Sequence, residues 1–242
     1  MMNARGMSVV NFYVTASYPC SYLPGRMARS QVAITRAGMG AGLYDQLLQH
    51  GFRRSGSSVY RPRCDQCQAC VPVRLRVADF RPNRTQRRVW RRHADVTVSM
   101  QRPDFEASHF DLYRRYQASR HAGGGMDQDD QEQYREFLMT SEVDTRLAVF
   151  QRQQTLYMVS LIDVVSDGLS AVYTFFDPAA DHDSPGVLNV LWQIDLTRQL
   201  GLPYLYLGYW IAESRKMAYK QQYQPLEVWL DGAWREWQAV QQ

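Results

Sequence analysis

The chain has 242 residues, of which 45% are hydrophobic, 12% aromatic and 21% charged, a composition that excludes disordered and fibrous chains. No apolar run approaches the ~18 residues of a membrane span, the best, Leu156 to Val165, being interrupted by Ser160 and Asp163, and no export signal is visible, so a cytoplasmic protein that binds no membrane is expected. The net charge of +4 conceals an asymmetry: residues 53–102 carry 13 arginines against 3 acids, whereas residues 103–200 carry 7 cations against 16 acids.

In chain order, Gly42 to Gln49 reads as a short helix closed by His50-Gly51. Val71 to Val77 alternates as a strand, with Val73, Leu75 and Val77 on one face and Arg74 and Arg76 on the other. A Pro-containing polar stretch, Gln101-Arg102-Pro103-Asp104, coincides with the change of charge and marks a boundary between units 1–103 and 104–242. Ser108 to Tyr116, and the segment opened by Asp129 to Glu132, carry helix N-terminal signals.

Arg146 to Phe150, Leu156 to Val165 and Leu169 to Phe176 are rich in β-branched and aromatic residues and are separated by turn segments, which predicts an antiparallel meander. Asp177-Pro178 stops the third strand. Val187, Val190, Leu191, Ile194 and Leu200 then recur at helical spacing up to Gly201, and Tyr204 to Trp210 reads as a further strand. The order is that of an α+β chain, compatible with an N-acetyltransferase-like mixed sheet.

Four cysteines in a reducing compartment argue against a disulfide framework. Cys64, Cys67 and Cys70 form C-x2-C-x2-C, whose soft donors suit zinc or an iron-sulfur cluster, with Cys20 as a remote fourth ligand; free thiols are the alternative. The run Arg81 to Arg92 interleaves Arg84, Arg87, Arg88, Arg91 and Arg92 with Trp90, pairing cations for phosphates with a ring for base stacking, as RNA binding requires. The glycines at 38, 40 and 42 have the wrong spacing for either standard phosphate loop. The residues His182 to Val187 lack the loop an acetyl-CoA enzyme needs, and no Ser/His/Asp or Cys/His set can be assembled from five scattered histidines.

Several motifs run together in one order. Gly51-Phe-Arg-Arg-Ser-Gly56, Tyr60-Arg-Pro-x-Cys64-x-x-Cys67-x-Ala-Cys70-x-Pro-x-Arg74, Phe80-x-Pro-x-Arg84-x-Gln-Arg-Arg88, Tyr173-x-Phe-Phe-Asp-Pro178 and Tyr206-Leu-Gly-Tyr-Trp-Ile211-x-x-Ser-x-Lys-Met217-x-Tyr-Lys220 resemble the arginyltransferase family, most closely its bacterial aspartate/glutamate leucyltransferase branch.

The resemblance implies an N-terminal domain with the Cys motif and basic block (1–103), a C-terminal acetyltransferase-like (GNAT-like) aminoacyltransferase domain (104–242), and transfer of leucine from leucyl-tRNA to proteins whose N-terminus is Asp or Glu, creating a degradation signal. Arginyl-tRNA as donor, or a non-catalytic RNA-binding module with a zinc knuckle, are the alternatives. Leu23 stands where eukaryotic relatives carry a second early cysteine.

The expected roles follow from that chemistry. An aminoacyl ester is already activated and an N-terminal amine has a pKa of about 7.7–8.0, so positioning dominates and no resident cofactor is required for the chemistry. Asp177 and Lys216 are the expected catalytic pair, Arg74, Arg76 and Tyr206 the acceptor-binding residues, and Arg84, Arg87, Arg88, Trp90, Arg91, Arg92 and Lys220 the tRNA-binding set; Cys20, Cys64, Cys67 and Cys70 remain the candidate metal ligands.

Overall fold

A computed structural model describes residues 10–35, 38–120 and 130–237. The first half begins with β1 (Val10–Val14), the two-residue strands β2 (Tyr18–Pro19) and β3 (Met27–Ala28), and β4 (Ser30–Thr35). Helix α1 (Ala41–Gln49), β5 (Arg53–Ser55) and β6 (Ser58–Pro62) complete a small unit whose antiparallel sheet runs β1-β4-β6-β5. Tyr44, Leu47 and Leu48 turn inward from α1 onto Phe52 and Val59. The expected helix is present, and His50 closes it.

Next come β7 (Val71–Arg76), α2 (Arg84–Arg92) and β8 (Val96–Gln101), then α3 (Ala107–Arg120) and α4 (Gln131–Tyr134), the latter continued by one π turn over Arg135–Met139. Asp130 caps α4 through a capping box; the expected opening residue Asp129 lies outside the described residues. The meander is present as β9 (Thr145–Arg152), β10 (Thr155–Val165) and β11 (Gly168–Phe176), antiparallel throughout. Helix α5 (Pro185–Gln199) and β12 (Tyr204–Trp210) follow, then α6 (Arg215–Ala218), a 3-10 turn over Tyr219–Gln222, and the hairpin of β13 (Leu226–Leu230) and β14 (Ala233–Glu236).

These strands form one mixed eight-stranded sheet in the order β14-β13-β7-β12-β11-β10-β9-β8. β7 and β8, both before Pro103, therefore pair with strands after it: β7 lies antiparallel between β12 and β13, and β8 lies antiparallel to β9. Alternation along β10 divides the core. Val159 and Leu161 pack with Phe110, Leu112 and Tyr113 of α3, whereas Ile162 packs with Val190, Leu191 and Ile194 of α5. Val73, Leu75 and Val77 face the α5 side, as the alternation of β7 requires, and Arg74 and Arg76 take the other face.

The small unit packs on this sheet through Val165 and Tyr206 and through the ion pair of Arg54 with Asp163. Arg54 on β5 reaches Asp163 on β10 with two bonds (Nε to Oδ2 3.0 Å, Nη2 to Oδ1 2.7 Å). The Tyr44 hydroxyl (3.0 Å) and the Thr145 hydroxyl (2.7 Å) donate to the same carboxylate. Asp163 is 0% exposed, so its charge is tolerated only because four donors surround it.

The strand pair β11 and β12 is the parallel one. Its register runs Gly168 with Tyr204, Leu169 with Leu205 and Ser170 with Tyr206, and then ends, although β11 continues to Phe176 and β12 to Trp210. The two strands thus splay toward their carboxyl ends. A crossover through α5 reaches β12 here, and crevices of this kind are where open sheets take ligands.

Candidate active site

The Arg run forms α2 because Asn83 caps it: the Asn83 side chain accepts from the Gln86 N–H (2.9 Å) and the Gln86 side chain accepts from the Asn83 N–H (2.8 Å). Gln86 and Val89 face inward. Arg84, Arg87, Arg88, Trp90, Arg91 and Arg92 are all exposed, Trp90 at 42%. Arg92 meets Asp183 at 3.4 Å; among the described residues, Arg84, Arg88 and Arg91 have no carboxylate partner. A groove of ≈ 390 Å³ runs between Trp90 and the Leu191 and Ile194 side chains of α5, rimmed by Arg87 and Arg91. This face is cationic, aromatic and open.

The two arginines of β7 are already engaged. Arg74 is buried, donates from Nε to Glu227 (2.6 Å) and from Nη1 to the Tyr206 hydroxyl (3.2 Å), and stacks on Tyr204 (3.6 Å) and Trp234 (4.5 Å). Arg76 meets Asp79 (3.0 Å), Glu227 (3.3 Å) and Glu236 (3.7 Å). Tyr206 is buried, and its hydroxyl donates to Asp167 at 2.9 Å. Each cation faces at least one acid of the chain itself.

Asp177 ends β11 and caps the 3-10 turn over Pro178–Asp183: it accepts from the Ala179 N–H (3.1 Å) and from Arg115 (3.1 Å). Lys216 is exposed on α6, just beyond the end of β12. The two therefore stand beyond the carboxyl ends of the two splayed strands. Lys220, expected beside the tRNA-binding arginines, is instead buried at 4% exposure.

A cleft of ≈ 1010 Å³ opens between the small unit and the part of the large sheet formed by Val71 and Pro72 of β7, Tyr209 of β12 and Trp229 and Leu230 of β13, with Tyr22, Tyr60 and Tyr209 in its wall. All four cysteines, Cys20 included, line it. Burial pushes the Cys70 thiol up to about 12, and the proximity of Cys20, Cys64 and Cys67 adds to the rise. Yet Cys67 accepts from Arg26 (3.5 Å) and Cys64 contacts the Arg29 carbonyl (3.8 Å), and among the described residues no three Cys, His, Asp or Glu side chains are placed to share an ion. The donor set is right for zinc or an iron-sulfur cluster, but this arrangement of it does not fit one.

Behind that wall lies a centre that joins Lys220 to Arg53, an arginine to which the sequence reading gave no role. Arg53, beside Arg54 on β5, is 8% exposed and points into the splay. It donates from Nη1 to Ser170 Oγ (3.0 Å) and from Nη2 to the Ala171 carbonyl. Gly208 lies against it: the register of β12 against β7 shifts between Tyr206 and Gly208, Gly208 takes φ 83°, a backbone conformation that favours glycine, and a Cβ there would touch the guanidinium at 3.4 Å. One residue on, the Tyr209 carbonyl accepts from Lys220 Nζ at 2.6 Å, and Met217 Sδ lies 3.3 Å from the same nitrogen. Burial, then the Arg53 charge, lowers the Lys220 ammonium to about 7. Its signal in the sequence was the Arg-Arg pair in an otherwise short, inward-facing strand.

The structure thus presents an arginine helix, a splayed parallel pair and two buried cations behind a deep cleft. The family model described as "Arginine-tRNA-protein transferase, N terminus" matches residues 18–88 and that described as "Arginine-tRNA-protein transferase, C terminus" matches residues 108–230. The chain belongs to the arginine-tRNA-protein transferase family. Within it, the chain is 57% identical over 232 residues to the aspartate/glutamate leucyltransferase of Chromobacterium violaceum, covering 96% of both chains. It is 56% identical to the enzyme of that name from Thiobacillus denitrificans, over 95% of this chain and 96% of that one, and 51% identical to that of Nitrosospira multiformis, over 96% and 93%.

Proposed function

We propose that this chain transfers leucine from leucyl-tRNA to the N-terminal Asp or Glu of proteins. The observation that carries the reading is end-to-end identity of 57% with an aspartate/glutamate leucyltransferase; the exposed arginines of α2 support the nucleic-acid half of it.

In this reading the acceptor amine attacks the ester carbonyl of leucyl-tRNA, an amide bond forms, and the ester C–O bond breaks to release the tRNA hydroxyl. The amine is neutral in a substantial fraction near pH 7–8, so the protein supplies alignment rather than a strong base. Arg84, Arg87, Arg88, Arg91 and Arg92 neutralise tRNA phosphates and Trp90 offers a stacking face. Asp177 is the carboxylate suited to hold the acceptor amine. Lys216, just beyond β12, is the cation suited to the developing oxyanion.

Arg74, Arg76 and Tyr206 then order the floor of the site, since the two cations already face Glu227, Asp79 and Glu236 and the Tyr206 hydroxyl already donates to Asp167. The splay of β11 and β12 supports an acetyltransferase-like architecture for 104–242. The division at Pro103 is proposed as one of sequence units that share a sheet. The reaction is cytoplasmic in this reading, where charged tRNA is found. No step runs through the cysteines.

Purified protein incubated with labelled leucyl-tRNA should label peptides beginning with Asp or Glu and leave those beginning with Lys or Ala unlabelled. Equal labelling of all four, or preference for arginyl-tRNA, overturns the assignment.

A further inference from the structure

Two buried cations within one splay, neither with a carboxylate partner among the described residues, require an explanation. An uncompensated buried charge costs the fold several kcal/mol by general estimates, and an apolar side chain of similar shape could fill either place. A fold retains such groups most readily where an anion arrives from outside.

We propose that Arg53 and Lys220 form the pocket that receives the side-chain carboxylate of the acceptor's first residue. The inference rests on the leucyltransferase reading for the identity of the acceptor and adds to it the residues that make an acidic N-terminus necessary. Consecutive residues of β12 fix the pair: Gly208 lies against the Arg53 guanidinium and the Tyr209 carbonyl holds the Lys220 ammonium. Among the described residues, the bonds to Ser170 and the Ala171 carbonyl occupy Nη1 and Nη2 of Arg53 once each, so other N–H donors of the guanidinium remain for a carboxylate.

The pair lies behind the wall of the ≈ 1010 Å³ cleft, whose residues Tyr22, Tyr60 and Tyr209 all lie within the field of Arg53, and this wall is the side from which the acceptor is proposed to arrive. These neutral rings suit the methylene stem of Asp or Glu. A backbone phosphate, carrying a nucleotide on either side, needs an open track instead, and α2 provides one. Arg54 makes the contrast within the same strand, because its charge is consumed by Asp163.

The test uses the full chain and two peptides that differ only in an N-terminal Asp or Asn, with binding measured calorimetrically and transfer measured separately. Wild type should favour the Asp peptide. Lys220→Met should weaken Asp binding by about tenfold or more, as for a lost charged hydrogen bond, leave the Asn peptide and leucyl-tRNA affinities unchanged, and leave the melting temperature equal or higher. Lys220→Arg should restore part of the preference, and Arg53→Met gives an independent reading should Lys220→Met fail to fold. Full preference for Asp in folded Lys220→Met and Arg53→Met overturns the pocket, and so does loss of tRNA affinity with peptide preference intact, which assigns the cations to a phosphate. Wild type that binds the Asp peptide selectively but transfers no leucine sinks the functional reading and leaves the pocket standing.

Discussion

Arg53 and Arg54 are neighbours on one three-residue strand, and both are buried, yet they have opposite circumstances. Arg54 meets Asp163 in a bidentate pair completed by Tyr44 and Thr145, and docks the small unit onto β10. Arg53, one residue earlier, meets a hydroxyl, a carbonyl and the field of Lys220. The difference separates a charge that holds the molecule together from a charge kept available at a cost to stability.

The largest effect should come from the matched side. Asp163→Ala strands the Arg54 guanidinium in the interior and should lower the unfolding free energy by about 3–5 kcal/mol, read from urea denaturation, whereas Lys220→Met should lower it by nothing measurable. Comparable losses in both variants would erase the contrast. Next is the exposed arginine helix: replacing Arg84, Arg87, Arg88 and Arg91 by Gln together should flatten the dependence of log tRNA affinity on log salt by about 3 units, with peptide binding retained. Unchanged salt dependence would make α2 a solvated face.

Arg74 tests the same distinction at smaller scale. Arg74→Met removes a buried bond to Glu227 and stacking on Tyr204 and Trp234, and should cost about 1–3 kcal/mol of stability while Asp-over-Asn preference survives; lost preference in a stable variant would return the acceptor to β7. The smallest effect is that of pH. Lys220 is lowered to about 7 in the fold from an ordinary value of 10.5, so between those values the unfolded chain binds more protons and stability rises with pH. Below about 7 both states are protonated and the penalty is present in full. Relative to Lys220→Met, wild type should therefore gain up to about 1.4 kcal/mol per pH unit above 7. The groups facing Lys220 are Arg53, Cys70 and the Tyr219 ring, 5.4 Å away; a flat difference from pH 7 to 9 would place its titration elsewhere.

What the sequence showed and what it hid have the same physical origin. The meander, α5 and β12 are built from local alternation and helical periodicity, and their predicted and observed limits agree closely. Pairing between distant segments leaves no such trace, so neither the place of β7 between β12 and β13 nor the Arg54–Asp163 pair could be read. The final hairpin did carry a local signal: Asp231-Gly232, with φ 51° and 79°, is a two-residue turn with the positive angles such connections require. At the site, the arginines of α2 were legible as a charge block, whereas Arg74 read as an available cation because Glu227, 153 positions away, is invisible to a motif. Lys220 read as a surface charge because nothing local announces burial.

The position of β7 also has a consequence for how the protein is made. A ribosome releases Val71–Arg76 long before Tyr204–Trp210 and Leu226–Leu230, the two strands that become its neighbours in the sheet. Until they emerge, an apolar ribbon presenting Val73 and Leu75 has no permanent partner and its two edges are open to other chains. The nascent enzyme therefore passes through an extended interval of vulnerability to aggregation, and a transcript truncated before residue 226 should yield a product that chaperones or proteases must remove.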